Sequence, residues 1–282
     1  MSRQYHYLIA GFPDLFFDDS KSLIKLEEFR QLLTENLPET DMEIIRLYFN
    51  RFDNRNILAR LKDENIPFDH RGNFTESDLD DLFEAVKEGA DNARIQGVPA
   101  FYPLFIGAFK SELPVYDGKS WDNQLTELYY KHVIDNNNSF VSNWFLFERD
   151  FQNIVTASQC RKHRLPADNQ LIGTGELINK LSRSSARDFG IDNDFPMIDQ
   201  ILKVIEEDDI KEFEKKIDRI KWDFLDNEIF FYYFTIEKLF SFIVKLSIAE
   251  RWLSLDKEVG KEFFEELLKN MEAAYQFPEE FM

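Results

Sequence analysis

The spacing most like that of a metal or phosphate site lies between Cys160 and Gly175. Cys160 and His163 are spaced as two metal ligands can be, but they lie in the basic run CRKHR, and a zinc site needs about four ligands. Gly173 and Gly175, in GTGEL, are placed as in a turn that holds an anion. The stretch lacks the G-K-[ST] ending of a phosphate-binding loop and follows no predicted strand. We therefore expect neither a metal nor a cofactor and interpret the glycines as a helix-start turn.

Acidic residues are abundant, but they form no recognisable catalytic motif. Runs such as EEDDIKEFEKK and KEFFEELLK are typical of solvated helix faces. Neither a G-x-S-x-G nucleophile elbow nor an H-E-x-x-H metal motif occurs. An enzyme would require carboxylates that converge in a deep polar cleft of the fold. We expect no catalytic residue. An enzyme with dispersed acidic catalytic residues is the third hypothesis, after the two structural roles described below.

The net charge of −19, from 53 acidic and 34 basic residues, limits the class of partner. Such a surface repels phosphate backbones and anionic membranes, so we expect no nucleic-acid partner. A basic protein partner, or simple solubility, fits this charge better. The single cysteine excludes an intramolecular disulfide and indicates a reducing compartment.

Neither of two apolar stretches resembles a segment that enters a membrane. The apolar stretch near the N-terminus is short and is soon followed by acids, unlike a signal peptide. The most apolar stretch, residues 229–248, is interrupted by Glu237, Lys238 and Lys245, whereas a transmembrane span needs ~20 largely uncharged residues. We interpret it as a buried core helix and expect a cytoplasmic protein.

Apolar residues at helical spacing, separated by short loops with Pro or Gly, predict an all-α fold. Asp41 and Thr75 stand where helix N-caps are expected, and Thr75 with Asp78 has the spacing of a capping box. Further helices are predicted from about Glu228 onward and over 257–277.

The predicted helices fall into four parts along the chain. These are a first helical module (1–94), an irregular connector with three Pro and three Gly (95–120), a second helical module (121–190) and a C-terminal helical module (191–282). The glycines and prolines of the connector favour a linker or corner.

An internal repeat links the first two modules. Segments beginning at Phe52 and at Glu148 share the order of a long helix, a loop with Pro, a Gly turn and a new helix. The matched positions are Asp53 and Asp150, Asn56 and Asn153, and Gly72 and Gly173. Asp and Asn are poor residues inside a helix, so we predict that they bond across to a neighbouring helix. Exposed polar positions and a ligand site are the alternatives.

Aromatic clusters are most simply explained as core, with one exception. Phe101, Tyr102 and Phe105 lie in AFYPLF, where Pro and Gly give no predicted helix to bury them. We therefore predict a partner-binding surface at these three residues.

The paired motifs FDNRNILARL with GNFTESDL, and FERDFQNIVTA with LIGTGEL, resemble the C-subunit family of V-type ATPases and ATP synthases (the d-subunit in eukaryotes). The start YHYLIAGFPDL is similar to a shorter bacterial family of unassigned function that is encoded among the genes of V-type ATPases. The resemblance implies an all-α fold of repeated helical-bundle modules, like that of the C-subunit.

The resemblance also implies a mechanical role. The C-subunit lies on the cytoplasmic face of the proteolipid ring and couples it to the central stalk. We therefore expect a non-catalytic coupling subunit, without cofactors, whose partners are the central stalk and the proteolipid ring. It would be cytoplasmic and peripheral to the inner membrane through protein contacts only. The alternative is a helical adaptor or assembly factor that binds that complex, or another protein, transiently.

Overall fold

The computed structural model describes residues 5–17, 24–89 and 97–255. Within these ranges the chain forms eleven α-helices, one short 3-10 helix and no strand, which confirms the predicted all-α fold. None of these helices is long and apolar enough to cross a membrane. The helices are α1 (His6–Ala10), α2 (Leu26–Asn36), α3 (Glu39–Leu61), α4 (Glu76–Lys87), α5 (Phe101–Ser111), α6 (Trp121–Ile134), α7 (Ser139–His163), α8 (Glu176–Arg183), α9 (Ile198–Ile205), α10 (Ile210–Glu228) and α11 (Ile236–Leu255).

The chain divides into two units, and not into the four sequential parts predicted. Among the described residues, a terminal unit combines 5–17 and 24–37 with 229–255, and a central unit comprises 38–89 and 97–228. The first and last described segments share one core because α2 packs against α11. In that core the rings of Phe12, Phe29 and Phe242 lie 4.7–4.9 Å apart. Sequence order alone does not reveal this pairing of the two segments.

The core of the central unit is built around α7. This helix packs against α6, α8, α9 and α10, and α6 also packs against α3 and α5. Trp144, Phe145 and Phe151 on α7 are almost completely buried. Both α3 and α7 bury residues on more than one side, as expected for helices enclosed by others.

The predicted irregular connector, residues 95–120, contains a helix instead. Helix α5 occupies Phe101–Ser111, and Pro103 is its third residue. A proline is tolerated there because the first N–H groups of a helix have no intrahelical partner to lose. The same helix overturns the predicted partner surface: Phe101, Tyr102 and Phe105 are 7%, 0% and 0% exposed. These side chains belong to the core.

Some of the predicted helix boundaries are confirmed and others are wrong. The capping box of Thr75 and Asp78 is present at the start of α4. Asp41 is not an N-cap, because α3 already begins at Glu39, directly after Pro38. The apolar segment predicted to be helical from Glu228 first forms the 3-10 helix Ile229–Phe231, and α11 begins later. The helix predicted over 257–277 lies outside the described residues.

Candidate functional site

The first copy of the repeat holds its loop with the side chain of Asn56. This residue is buried on α3, and its Nδ2 donates to the backbone oxygen of Asp69 at 2.9 Å. In return, the backbone N–H of Asp69 donates to Asn56 Oδ1, also at 2.9 Å. One amide side chain therefore satisfies both backbone groups of a loop residue that lies between α3 and α4.

The second copy uses the same device. Asn153, buried on α7, donates from Nδ2 to the backbone oxygen of Ile172 at 2.8 Å. The backbone N–H of Ile172 donates to Asn153 Oδ1 at 2.7 Å. The repeat asparagines thus share one function, which differs from the prediction: each bonds the loop that follows its own helix, and not a neighbouring helix. We call each arrangement an asparagine clamp.

The matched aspartates behave differently. Asp53 is fully buried, and its Oδ1 accepts a hydrogen bond from the backbone N–H of Phe74 at 3.1 Å. Its Oδ2 accepts one from Asn73 Nδ2 at 2.9 Å. Gly72 is needed beside this carboxylate, because a Cβ at residue 72 would lie 2.3 Å from Asp53 Oδ1. In the first copy, aspartate and asparagine therefore both hold the loop.

In the second copy, Asp150 does not take part in the loop bonds described for Asp53. Its Oδ1 accepts two hydrogen bonds from the neighbouring Arg149, at 2.9 and 2.8 Å. Burial raises the pKa of Asp150, and the charge and hydrogen bonds of Arg149 offset this only in part. Gly173 is needed for a different reason from Gly72: its φ of +95° lies in the region that L side chains rarely adopt.

A partly buried ion pair joins the two copies at equivalent positions. Arg51 and Glu148 each precede the repeat aspartate by two residues and are 97 residues apart, as are Asp53 and Asp150. The guanidinium donates to both carboxylate oxygens of Glu148, at 3.2 and 3.0 Å. Tyr130 also donates to Glu148, at 3.4 Å. This planar, two-bond geometry is the strong form of an arginine–carboxylate pair.

The charges around Glu148 keep it ionised despite its burial. Burial alone would raise the pKa of Glu148, but Arg51 and Lys221 outweigh that effect and the pKa lies below its ordinary value. This pair was not predicted from the sequence. A signal was present, because residues of opposite charge stand at matched positions of the repeat, but only the fold shows that the two positions meet.

A cleft of about 460 Å³ opens beside this ion pair, between α3 and α6. The residues that define it are Arg51, Asn54, Arg55 and Leu58 from α3 and Tyr129 and Tyr130 from α6. It also includes Lys62, which pairs with Asp122 at 2.7 Å. Its walls carry both cations and carboxylates, so its lining has no strong excess of either sign.

Cys160 and His163 lie three residues apart at the end of α7, in different environments. Cys160 is buried and His163 is exposed. Among the residues that the structure describes, no three His, Cys, Asp or Glu side chains are grouped so that they could hold a metal ion. Gly173 and Gly175 both have positive φ and lead into α8, which agrees with a helix-start turn.

Comparison with known proteins identifies a family. A family model with the description "Protein of unknown function (DUF2764)" matches residues 1–275. The chain matches none of the curated proteins and none of the solved structures. Because the matched region covers nearly the whole sequence, the chain belongs to the DUF2764 family.

Proposed function

We propose that this chain is a non-catalytic structural subunit of a V-type ATPase or ATP synthase, similar to the C-subunit. In this role it links the central stalk to the proteolipid ring. The observation that carries the proposal is the pair of asparagine clamps. The resemblance to the C-subunit family rests on a repeated helix, loop, glycine and helix, and Asn56 and Asn153 make the same two backbone bonds at matched places of that repeat.

A part that couples stalk and ring has to transmit force without deforming, and two features of the central unit suit that task. The loops after α3 and α7 are each bonded to their helix by a buried side chain, which limits local opening. The ion pair between Arg51 and Glu148 connects the two copies directly. Because its carboxylate is almost fully buried, separation of the copies would leave that charge without its main cation.

The surface suits protein partners. A net charge of −19 opposes contact with anionic lipid and with nucleic acid. The proposed place at the cytoplasmic face of the membrane is therefore reached through contacts with the central stalk and the proteolipid ring. No cofactor enters this role.

Purification of the complex from native membranes tests the proposal. The chain would carry an affinity tag at its own chromosomal locus, and mass spectrometry would count each component of the purified complex. We expect the stalk and ring proteins to copurify at a fixed stoichiometry. Recovery of none of them would contradict the proposal.

The second candidate is a helical adaptor or assembly factor that binds the complex, or another protein, only transiently. The observation that favours it is the open cleft between α3 and α6, since a surface cleft suits a reversible ligand. Depletion of the chain after the complex has assembled separates the two roles. Loss of a coupling part should uncouple ATP hydrolysis from ion transport, whereas loss of an assembly factor should leave the mature complex coupled.

A further inference from the structure

The cleft occupies a helix face whose counterpart in the second copy is covered. With the 97-residue offset of the repeat, Asn54 and Leu58 correspond to Phe151 and Val155. Phe151 and Val155 are buried, and α9 and α10 pack against α7. Asn54 and Leu58 instead line the open cleft. Within the described ranges, the first copy therefore exposes a face that the second copy buries under its own helices.

Covering helices in the second copy show what such a face can accept. Phe224 of α10 stacks on Phe147 with ring centroids 3.8 Å apart, and it also lies 6.0 Å from the ring of Trp144. The amino group of Lys221 lies 5.9 Å from the ring of Phe151. A helical segment with apolar and charged side chains thus fits against α7. The matching face of α3 carries polar groups, so its ligand must differ in chemistry.

Two groups in the cleft specify that chemistry. Asn54 is half-buried, and its Oδ1 has no hydrogen-bond partner among the described residues, so rotation of this side chain toward the cleft would allow it to gain a donor. The Arg55 side chain is 54% exposed, and its nearest carboxylate, that of Asp69, is 3.7 Å away. That carboxylate already accepts two shorter bonds from Arg71. Arg55 is therefore the cation best placed to accept an anionic group from outside.

The other cations of the cleft already form ion pairs with carboxylates. Arg51 is paired with Glu148, and Lys62 lies 2.7 Å from Asp122 and 3.7 Å from Glu64. Among the described side chains of the cleft, one positive charge thus remains available, which suits a single carboxylate. A nucleic-acid strand presents a row of phosphates and would meet the carboxylates of this rim and the overall charge of −19.

We propose that this cleft binds a peptide segment of a partner protein that carries an acidic side chain beside an apolar one. The carboxylate pairs with Arg55, and the apolar side chain packs on Leu58 and Ile66. The half-buried Asn54 side chain turns toward the cleft, where its Oδ1 accepts a hydrogen bond from a peptide N–H. The second copy has no such site among the described residues, because its equivalent face is filled by α10. The ligand chemistry of the cleft does not depend on the ATPase assignment, since it is the same whichever complex the partner belongs to.

Selection from a phage-displayed library of short random peptides tests the proposal without any ATPase component. The baits are the wild-type protein, Arg55→Glu and Gln152→Glu. Gln152 is the repeat equivalent of Arg55 and is also exposed, so its variant introduces the same negative residue on the surface of the other copy. We expect the wild type and Gln152→Glu to enrich the same sequences, with Asp or Glu near Leu, Ile or Phe. Arg55→Glu should lose them.

Affinity measurements sharpen the result. An enriched peptide and its Glu→Gln or Asp→Asn counterpart would be compared by fluorescence anisotropy, and we expect about tenfold weaker binding without the carboxylate. Leu58→Arg should also abolish binding, while far-UV circular dichroism checks that each variant keeps its helices. Absence of enriched peptides, enrichment without an acidic preference, equal loss in Gln152→Glu, or competition by a single-stranded oligonucleotide would each overturn the proposal.

Discussion

The two copies of the repeat hold the loop after the long helix with the same asparagine, but they use the matched aspartate differently. Both hold the loop after the long helix by an asparagine that bonds the two backbone groups of one residue, Asp69 or Ile172. The aspartate three residues earlier holds the loop as well in the first copy, whereas in the second it bonds Arg149. The asparagine clamp is therefore shared by the two copies, whereas the aspartate has a different hydrogen-bond partner in each.

The glycines show the same divergence. Gly72 leaves room for the Asp53 carboxylate, and Gly173 permits a positive φ. A matched glycine in a sequence repeat thus does not imply a matched physical reason. Four experiments use this comparison, starting with the ion pair that joins the copies.

Arg51→Met should have the largest effect on stability. It leaves the Glu148 carboxylate, 8% exposed, without its main cation, and loss of one partner of a buried pair costs about 3–5 kcal/mol. Glu148→Met should cost less, ~2 kcal/mol, because the Arg51 side chain is 27% exposed and can reach water. Urea denaturation of both single variants and of the double variant measures the coupling. A double variant whose loss equals the sum of the single losses would show that the pair does not join the copies.

Asn56→Leu and Asn153→Leu should destabilise the protein by similar amounts. Each removes two hydrogen bonds and leaves a backbone N–H and C=O without their partner, a loss of about 2–3 kcal/mol. Asn153→Leu should cost slightly more, because its bonds are fully buried and those of Asn56 only partly. Urea denaturation gives both values. A large loss in one copy and none in the other would mean that the clamps are not equivalent.

Alanine at the two glycines should be unfavourable for separate reasons. Gly72→Ala should cost ~2 kcal/mol through its clash with Asp53, and Gly173→Ala about 1–2 kcal/mol through its positive φ. In a double-mutant cycle, Asp53→Ala should relieve part of the cost of Gly72→Ala. The control, Asp53→Ala with Gly173→Ala, should be additive, because a Cβ at residue 173 would meet Arg149 and not Asp53. Additivity in both cycles would contradict the proposed clash.

Asp150→Asn should have the smallest effect, a slight stabilisation at neutral pH. The pKa of Asp150 is raised above its ordinary 3.8, so its charge costs stability above the folded-state pKa, and this cost is relieved as the pH falls through that pKa. The advantage of Asn should therefore shrink from neutral pH toward about pH 4. Urea denaturation across this range checks it, and an advantage that grows on acidification would contradict the raised pKa.

The contribution of Glu148 to stability should change with pH in the opposite direction to that of Asp150. Its pKa is lowered from 4.5, so the stability it contributes is present above that value and is lost as the pH falls through the folded-state pKa. The second copy thus contains one acid, Glu148, that stabilises the fold at neutral pH and another, Asp150, that destabilises it.

Local patterns predicted much of the architecture. Helical spacing identified α3, α7 and α8, and the capping box of Thr75 and Asp78 marked the start of α4. The repeat positions Asn56 and Asn153 were also identified, because polar residues inside a helix require a partner. These features depend on neighbours within a few turns of the chain.

Features that depend on distant packing were not predicted. The prolines and glycines of residues 95–120 suggested a corner, although Pro103 lies where a helix tolerates it. The Arg51–Glu148 pair and the cleft depend on how α3, α6 and α7 assemble, and the joining of the first and last described segments depends on α11 meeting α2. None of these has a signal confined to one segment.

Amide hydrogen exchange at Asp69 and Ile172 tests most directly whether the chain contains two copies of one clamp. Their N–H groups are the donors to Asn56 and Asn153. We expect Asn56→Leu to accelerate exchange at Asp69 and leave Ile172 protected, and Asn153→Leu to do the reverse. Unchanged exchange at the clamped residue in either variant would contradict the shared device on which the proposed function rests.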